Sequence, residues 1–267
     1  MYKSIEQQLD KIFKKWYERM YPGKSYLVND KDKEPFTKDG IMFNENIPAD
    51  EIENKWEHSS RRILFLLKDQ NQKGDIKWPE DIRYWFKRTE IDDDKSIAQK
   101  NKKMNLQDPF FQKLAFMLWG FSKIDKNNDW WPVEVEMHFK EVKEFFNTQP
   151  FALIECKKLP GGGKVYDSEI KKHINGYGDL LKLEIETLNP NIIICMSGPG
   201  HDFALNYLFN NNELENCSNN VHIYRKNGKE ILIIDSYHPS RPDYNYGKLM
   251  DNCRSFIQNN FSAEAIR

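Results

Sequence analysis

Apolar positions along the chain predict helices that alternate with strands. Near the N-terminus, apolar side chains recur at helical spacing, with Ser4 and Gln7 as a capping-box pattern and Pro22 as the stop. Four later runs of strand length are almost continuously apolar, at 61–67, 151–156, 192–196 and 230–235. Such runs are typical of strands that are buried on both faces of a parallel sheet.

Helical patterns separate these runs and are expected at 82–86, 110–121, 133–146 and 178–188, with a further helix after Phe203. Asn227-Gly228 joins two strand-like stretches, 221–225 and 230–235, and is a strong signal for a β-hairpin. The segment 24–58 is polar and is predicted to be loop-rich.

This order of elements predicts an α/β fold, a three-layer α/β/α sandwich with a central, mostly parallel four-stranded sheet. The chain has 267 residues, enough for one large domain with a sizeable core. We expect a single domain over 1–267, with an N-terminal helix and a helical insertion at about 73–150.

Charge and cysteine content narrow the functional classes only slightly. With 40 basic and 41 acidic residues, the net charge of -1 neither requires nor excludes a nucleic-acid partner. The four cysteines show no C-x-x-C spacing, so we expect neither a metal site nor a cofactor. No signal peptide or membrane-spanning run is recognised, which predicts a cytoplasmic protein without a membrane partner.

The chemistry is expected where the strands end. A parallel sheet brings the carboxyl ends of its strands to one edge, where ligands of open α/β sheets bind. Here these ends carry Asp69 to Gln72, Glu155 with Lys157, the glycine-rich 197–201, and Tyr237 to Ser240. The last of these follows the apolar run Ile231-Leu-Ile-Ile, so His238 would be held rigidly at the edge by Pro239.

Four motifs, in this order, resemble those of the uracil-DNA glycosylase superfamily over roughly residues 60–260. The first strand ends in Leu67-Lys68-Asp69-Gln70-Asn71-Gln72, and a later one in Glu155-Cys156-Lys157-Lys158-Leu159-Pro160-Gly161. A third strand follows Pro190, and the last motif is the intact His238-Pro239-Ser240. The resemblance implies hydrolysis of the N-glycosidic bond of a flipped-out DNA base, by a protein that is expected to be monomeric.

The resemblance also implies roles for individual residues. Asp69 would orient water and stabilise the positive sugar, and His238 would donate a hydrogen bond to the departing base. Gln70, Asn71 and Glu155 would bind that base. Contacts with DNA are expected from a further set of residues, namely Lys157, Lys158, Lys164, Ser197, Gly198, Gly200, Ser240, Arg241 and Tyr244.

The sequence departs from the superfamily at several of these positions. Leu67 and Gln70 stand where glycine and often proline occur, Asn71 replaces an aromatic residue, and Glu155 replaces the base-reading asparagine. A carboxylate accepts hydrogen bonds but donates none unless it is protonated, so it would read an exocyclic amine better than uracil O4. The resemblance therefore leaves open a different damaged base, or nucleic-acid binding without catalysis.

Simpler interpretations of the same residues stand beside these. Asp69 suits a surface turn, and Glu155 could be held by an ion pair with Lys157 or Lys158. Another enzyme class is a metal-dependent nuclease, because Glu155-Cys156-Lys157 matches an E-x-K pattern with Asp69 as the distant acid. That class leaves the His238 motif unexplained.

Overall fold

The computed structural model describes residues 4–27, 34–44, 46–71, 80–85, 109–124, 138–161, 166–196, 208–209, 213–218, 221–226, 228–239 and 245–260. Within these ranges the helices are α1 (Ile5–Met20), α2 (Ile52–His58), α3 (Pro109–Lys123), α4 (Phe139–Thr148), α5 (Asp167–Leu188) and α6 (Tyr246–Asn260). The strands are β1 (Thr37–Lys38), β2 (Gly40–Ile41), β3 (Ile63–Asn71), β4 (Glu80–Asp81), β5 (Ala152–Gly161), β6 (Ile192–Cys195), β7 (Leu214–Ser218), β8 (Val221–Lys226) and β9 (Lys229–Asp235).

The main sheet has seven strands in the order β2-β5-β3-β6-β9-β8-β7. Its centre, β5-β3-β6-β9, is parallel, and these are the four apolar runs of the sequence. The flanking strands β2, β8 and β7 each pair antiparallel with their neighbours. The predicted α/β class is therefore confirmed, but the sheet is larger and more mixed than the four-stranded sheet predicted from the runs alone.

The two strands missing from the prediction at the sheet edges have little sequence signal. β2 contains only two residues and lies inside the polar segment 24–58, which also contains helix α2. The prediction of a loop there was wrong because this segment buries large side chains, including Phe36, Met42 and Trp56. At the other edge, β7 pairs with β8 beyond the predicted hairpin, whose turn places Gly228 at φ +74°.

Helices cover both faces of the sheet. Alternate residues of β3 enter different apolar clusters: Phe65 packs with residues of α3, α4 and α6, whereas Leu66 packs with residues of α1, α2 and α5. The capping prediction at the start of α1 holds, since Ser4 Oγ accepts from Gln7 N at 3.2 Å. Among the described helices, none is both long and apolar enough to cross a bilayer.

Most predicted helices exist with shifted ends. The pattern at 178–188 belongs to the longer α5, and the short helix predicted at 82–86 is a 3₁₀ turn over Ile82–Tyr84. α3 and α4 occupy the predicted positions within a few residues. The helix predicted after Phe203 falls largely outside the described residues.

Candidate functional site

Strands β3 and β5 continue past their apolar runs, so their polar motifs are part of the sheet. In the parallel pairing Asp69 lies opposite Lys157, and Asp69 Oδ2 is 3.3 Å from Lys157 Nζ. Both side chains are largely buried, with 6% and 10% of their surface exposed. Lys157 Nζ also lies 3.9 Å from Glu169 Oε2 at the start of α5. Asp69 is therefore a paired carboxylate inside the site, and the surface-turn interpretation is wrong.

Gly161 closes against this ion pair. An added Cβ at Gly161 would lie 1.9 Å from Asp69 Oδ2 and 3.3 Å from Lys157 Nζ, far inside van der Waals contact. The missing side chain is therefore what lets the end of β5 approach the Asp69 carboxylate. Gly161, which follows Pro160, therefore has a specific packing role at the end of β5.

Strand β3 extends further than its neighbour β6. β6 ends at Cys195, level with Leu66 of β3 and Asp235 of β9, so Lys68 and Asp69 lie beyond its last residue. Lys68 Nζ forms an ion pair with Asp167 Oδ1 at 2.9 Å. Its positive charge acts on groups from both strand ends, because it opposes the rise that burial causes in the pKa of Asp69 and adds to the fall that burial causes in the pKa of His238.

His238 lies at the carboxyl end of β9 with its ring against Phe110 of α3, at a centroid distance of 5.4 Å. Burial, together with the smaller effects of the ammonium groups of Lys68 and Lys113, lowers the pKa of His238 to about 4. The imidazole is therefore neutral at physiological pH. A neutral ring beside two cations is suited to donating a hydrogen bond to a group that gains negative charge.

Glu155 is buried, with 2% of the residue exposed, and its Oε2 has no hydrogen-bond partner within the described chain. Burial raises its pKa well above the usual value, and the charges of Asp39 and Asp69 raise it further. The alternative that Glu155 pairs with Lys157 or Lys158 is wrong, because those lysines bind other carboxylates. These surroundings favour the protonated form of Glu155, which can donate as well as accept.

Lys158 points into the protein, on the opposite face of β5 from Lys157. Its Nζ lies 2.5 Å from Asp39 Oδ2 and 2.7 Å from Glu184 Oε2, and none of its side chain is exposed. Phe13 and Trp16 of α1 flank the ammonium group at 5.9 and 5.6 Å. The prediction that Lys158 contacts DNA is therefore wrong, since no phosphate reaches a fully enclosed side chain.

Other predicted site residues are only partly covered or not covered at all. Gln70 and Asn71 form the end of β3, and the prediction that they bind a base stays a prediction. The remaining predicted DNA contacts lie outside the described residues, namely Lys164, Ser197, Gly198, Gly200, Ser240, Arg241 and Tyr244.

Sequence reasoning missed three residues that surround His238. Phe110 and Lys113 belong to α3, within the stretch treated as an insertion, and Lys68 was read only as part of a motif. The helical pattern of α3 marked Phe110 as apolar without indicating its partner. The role of Lys113 has no signal in the sequence, since it depends on how α3 packs over the ends of the strands.

The nuclease interpretation finds little support in this geometry. Asp69 is bound to Lys157 and Glu155 is buried, so the E-x-K carboxylates do not form an open pair. In the part of the chain that the structure describes, no three His, Cys, Asp or Glu side chains converge as metal ligands.

Comparisons with family models and with curated proteins identify no relative of this chain. No family model matches the chain, and no curated protein is significantly similar to it.

Proposed function

We propose that the chain is a DNA glycosylase of the uracil-DNA glycosylase superfamily, with a three-layer α/β/α arrangement, that hydrolyses the N-glycosidic bond of a deaminated base. The observation that carries the proposal is the position of His238, which follows β9 and packs on Phe110 at the same end of the parallel sheet as the Asp69–Lys157 pair. Water would add to C1′ of the deoxyribose, and the base would leave and take up a proton.

The surroundings of His238 support its role at the leaving base. The base gains negative charge as the glycosidic bond breaks. A hydrogen-bond donor that already lies close to the base therefore stabilises the transition state. A neutral imidazole is such a donor, and the ammonium groups of Lys68 and Lys113 add favourable electrostatic attraction. Phe110 holds the ring from one side, which limits its rotation.

Asp69 would act at the sugar. Its carboxylate would orient the attacking water and stabilise the positive charge that develops on the deoxyribose. Burial raises the pKa of Asp69, and the Lys157 ammonium opposes this rise through an ion pair at 3.3 Å. Lys157 therefore acts as a positioning residue that favours the ionised form of Asp69.

Glu155 would read the base. A neutral carboxyl group carries one donor and one acceptor, the same complement as an amide edge. It can donate to a ring carbonyl and accept from the adjacent ring N–H, as found together in uracil and in hypoxanthine. Burial raises the pKa of Glu155 well above its usual value and so favours the neutral form over the carboxylate that the sequence-based argument assumed. We therefore propose a base with a carbonyl and an adjacent N–H as the substrate.

The test is base release in EDTA from labelled single- and double-stranded oligonucleotides carrying uracil, hypoxanthine, xanthine or only normal bases. Alkali would then cleave each abasic site. We expect strand breaks only at one deaminated base, and a loss of about 10² to 10³-fold in rate for His238→Gln and for Asp69→Asn.

The matched control is His138→Gln. His138 also stacks on an aromatic ring, that of Trp119, at a centroid distance of 5.4 Å, but it lies at the start of helix α4. It should keep the wild-type rate. Bound DNA that loses no base would instead favour a binding protein, and release that stops in EDTA would favour a metal-dependent enzyme.

A further inference from the structure

A cavity lies at the opposite edge of the sheet from the candidate site. Its volume is about 430 Å³, and it is formed by the C-terminal half of α5, by residues 208–209 and by the β8–β9 hairpin. Lys229 begins β9, and Asn189 follows the last residue of α5, in the short connection to β6. Because β9 and β6 run parallel to β3, these ends lie at the edge away from Asp69. The cavity is therefore separate from the proposed glycosylase site.

Apolar side chains form the inner wall of this cavity. Phe209 and Tyr224 meet edge to face at a centroid distance of 4.8 Å, beside Ile185, Leu208 and Ile231. The volume falls within the range of about 300 to 1,000 Å³ that is usual for small-molecule sites. A wall of this composition favours the apolar part of a ligand.

Basic side chains stand at the rim. Lys226 pairs with Glu186 at 3.0 Å, whereas Lys229 donates to the neutral Asn189 Oδ1 at 2.9 Å. Lys182 has no ion-pair partner among the described side chains. One carboxylate therefore faces three ammonium groups, and the rim carries a net positive charge.

The carboxyl end of α5 does not cancel this charge. A helix C-terminus carries partial negative charge on its free carbonyls, which would repel an anion. Here Arg62 Nε donates to the Asn189 carbonyl at 2.7 Å, and Trp56 Nε1 donates to the Leu188 carbonyl at 2.8 Å. Arg62 satisfies one carbonyl and adds a further positive charge to this end of the helix.

We propose that this cavity binds a small organic anion with an apolar body, whose charged group lies at Lys182 and Lys229 and whose body lies against Phe209 and Tyr224. Both an aliphatic carboxylate and a nucleoside monophosphate have this chemistry. The inference does not depend on the proposed glycosylase activity, because it uses none of the residues of that site.

The probe is 8-anilinonaphthalene-1-sulfonate, whose fluorescence rises in apolar sites. We expect saturable binding at one site per chain, and at least about tenfold weaker binding in Lys182→Glu/Lys229→Glu. The matched control, Lys140→Glu/Lys143→Glu, makes the same change in net charge at exposed positions of α4 and should bind like the wild type. The neutral N-phenyl-1-naphthylamine should bind both variants equally.

Further arms separate this cavity from the candidate site and identify the ligand class. If the double variant unfolds, Lys182→Ala removes one ammonium group and no ion pair, and should still weaken binding several-fold. Displacement of the dye by octanoate would indicate an aliphatic carboxylate, and displacement by AMP a nucleotide. Equal affinity in both charge-reversal variants, loss of binding in Lys113→Glu, or displacement by neither competitor would overturn the proposal.

Discussion

Two neighbouring lysines of β5 lie in different regions of the molecule, one at the edge of the sheet and the other in the buried interior. Lys157 lies at the carboxyl edge of the sheet and pairs with Asp69, where the nearby Glu169 is exposed to solvent. Lys158 lies on the other face, enclosed by Asp39, Glu184 and the rings of α1. The alternation of side chains along a strand is enough to separate them.

The ion pairs of Lys157 and Lys158 therefore differ in their roles. Burial would lower the pKa of Lys158, but the carboxylates of Asp39 and Glu184 outweigh this effect and raise it. A charge in that position is retained only because both partners are present, so the cluster links β5, α5 and the segment before β2. At the edge, Lys157 favours the charged form of Asp69, as the proposed role of that carboxylate requires.

The largest expected effect is a difference in stability between variants that replace Lys157 and variants that replace Lys158. Lys158→Met should lower the free energy of unfolding by about 3 to 5 kcal/mol, because it leaves Asp39 buried without its counter-ion and Glu184 without its hydrogen-bond donor. Lys157→Met should cost only about 1 to 2 kcal/mol, because Asp69 lies at the edge of the sheet. Urea denaturation of both variants measures the difference.

If Lys158→Met is too unstable to purify, Lys158→Arg tests the same point, because it keeps the charge but misfits an enclosed site shaped for an ammonium group. Equal losses of stability in the Lys157 and Lys158 variants would contradict the comparison.

The contrast between the two lysines also shows which features could be predicted from the sequence. The apolar runs correctly indicated the four parallel strands, since strands buried on both faces leave a continuous hydrophobic record. Asp69 and His238 were predicted as site residues because each lies just beyond the end of such a run, and the structure places both at the same end of the sheet. Adjacent lysines, by contrast, give no sign of which will be buried, since that depends on Asp39 from a segment that reads as polar loop.

Tertiary packing decided the rest of the site. The neutral state of His238 depends on α3, which reaches it from a distant part of the chain. Likewise, the protonation of Glu155 follows from burial beside Asp39, and no spacing rule encodes that contact. The ion pair between Asp69 and Lys157 could not be predicted without knowledge of the register in which β3 pairs with β5.

The next effect sharpens the role of the edge pair. Gly161→Ala places a methyl group where the Asp69 carboxylate now lies, so the carboxylate must move. Displacement of a catalytic group by about 1 Å can cost about 10²-fold in rate, and we expect a loss of that order in base release. Steady-state rates on the preferred oligonucleotide measure it.

Gly176→Ala is the matched control for this variant. Gly176 lies inside α5, and an added Cβ there meets no atom within 4 Å. Alanine in a helix is favoured over glycine, so this variant should gain about 0.5 to 1 kcal/mol of stability and keep full activity. A Gly161→Ala protein with wild-type rates would remove Asp69 from the mechanism.

The smallest effect, when expressed per unit of pH, concerns the pH dependence of the buried cluster. Burial raises the pKa of Glu184 from an ordinary value near 4.5 to about 8, so the folded state holds its proton more tightly than the unfolded state. The resulting stabilisation is complete below about pH 4.5 and is lost as the pH rises through about 8, by at most about 1.4 kcal/mol per pH unit. Glu184→Gln should remove this component, so its unfolding free energy should fall less steeply than that of the wild type between pH 5 and 8. Glu186→Gln, an exposed change on the same helix, is the control. If the free energies of unfolding of the wild type and of Glu184→Gln changed with pH in parallel, Glu184 would not titrate in the interior cluster. Lys158 would then differ from Lys157 only in burial.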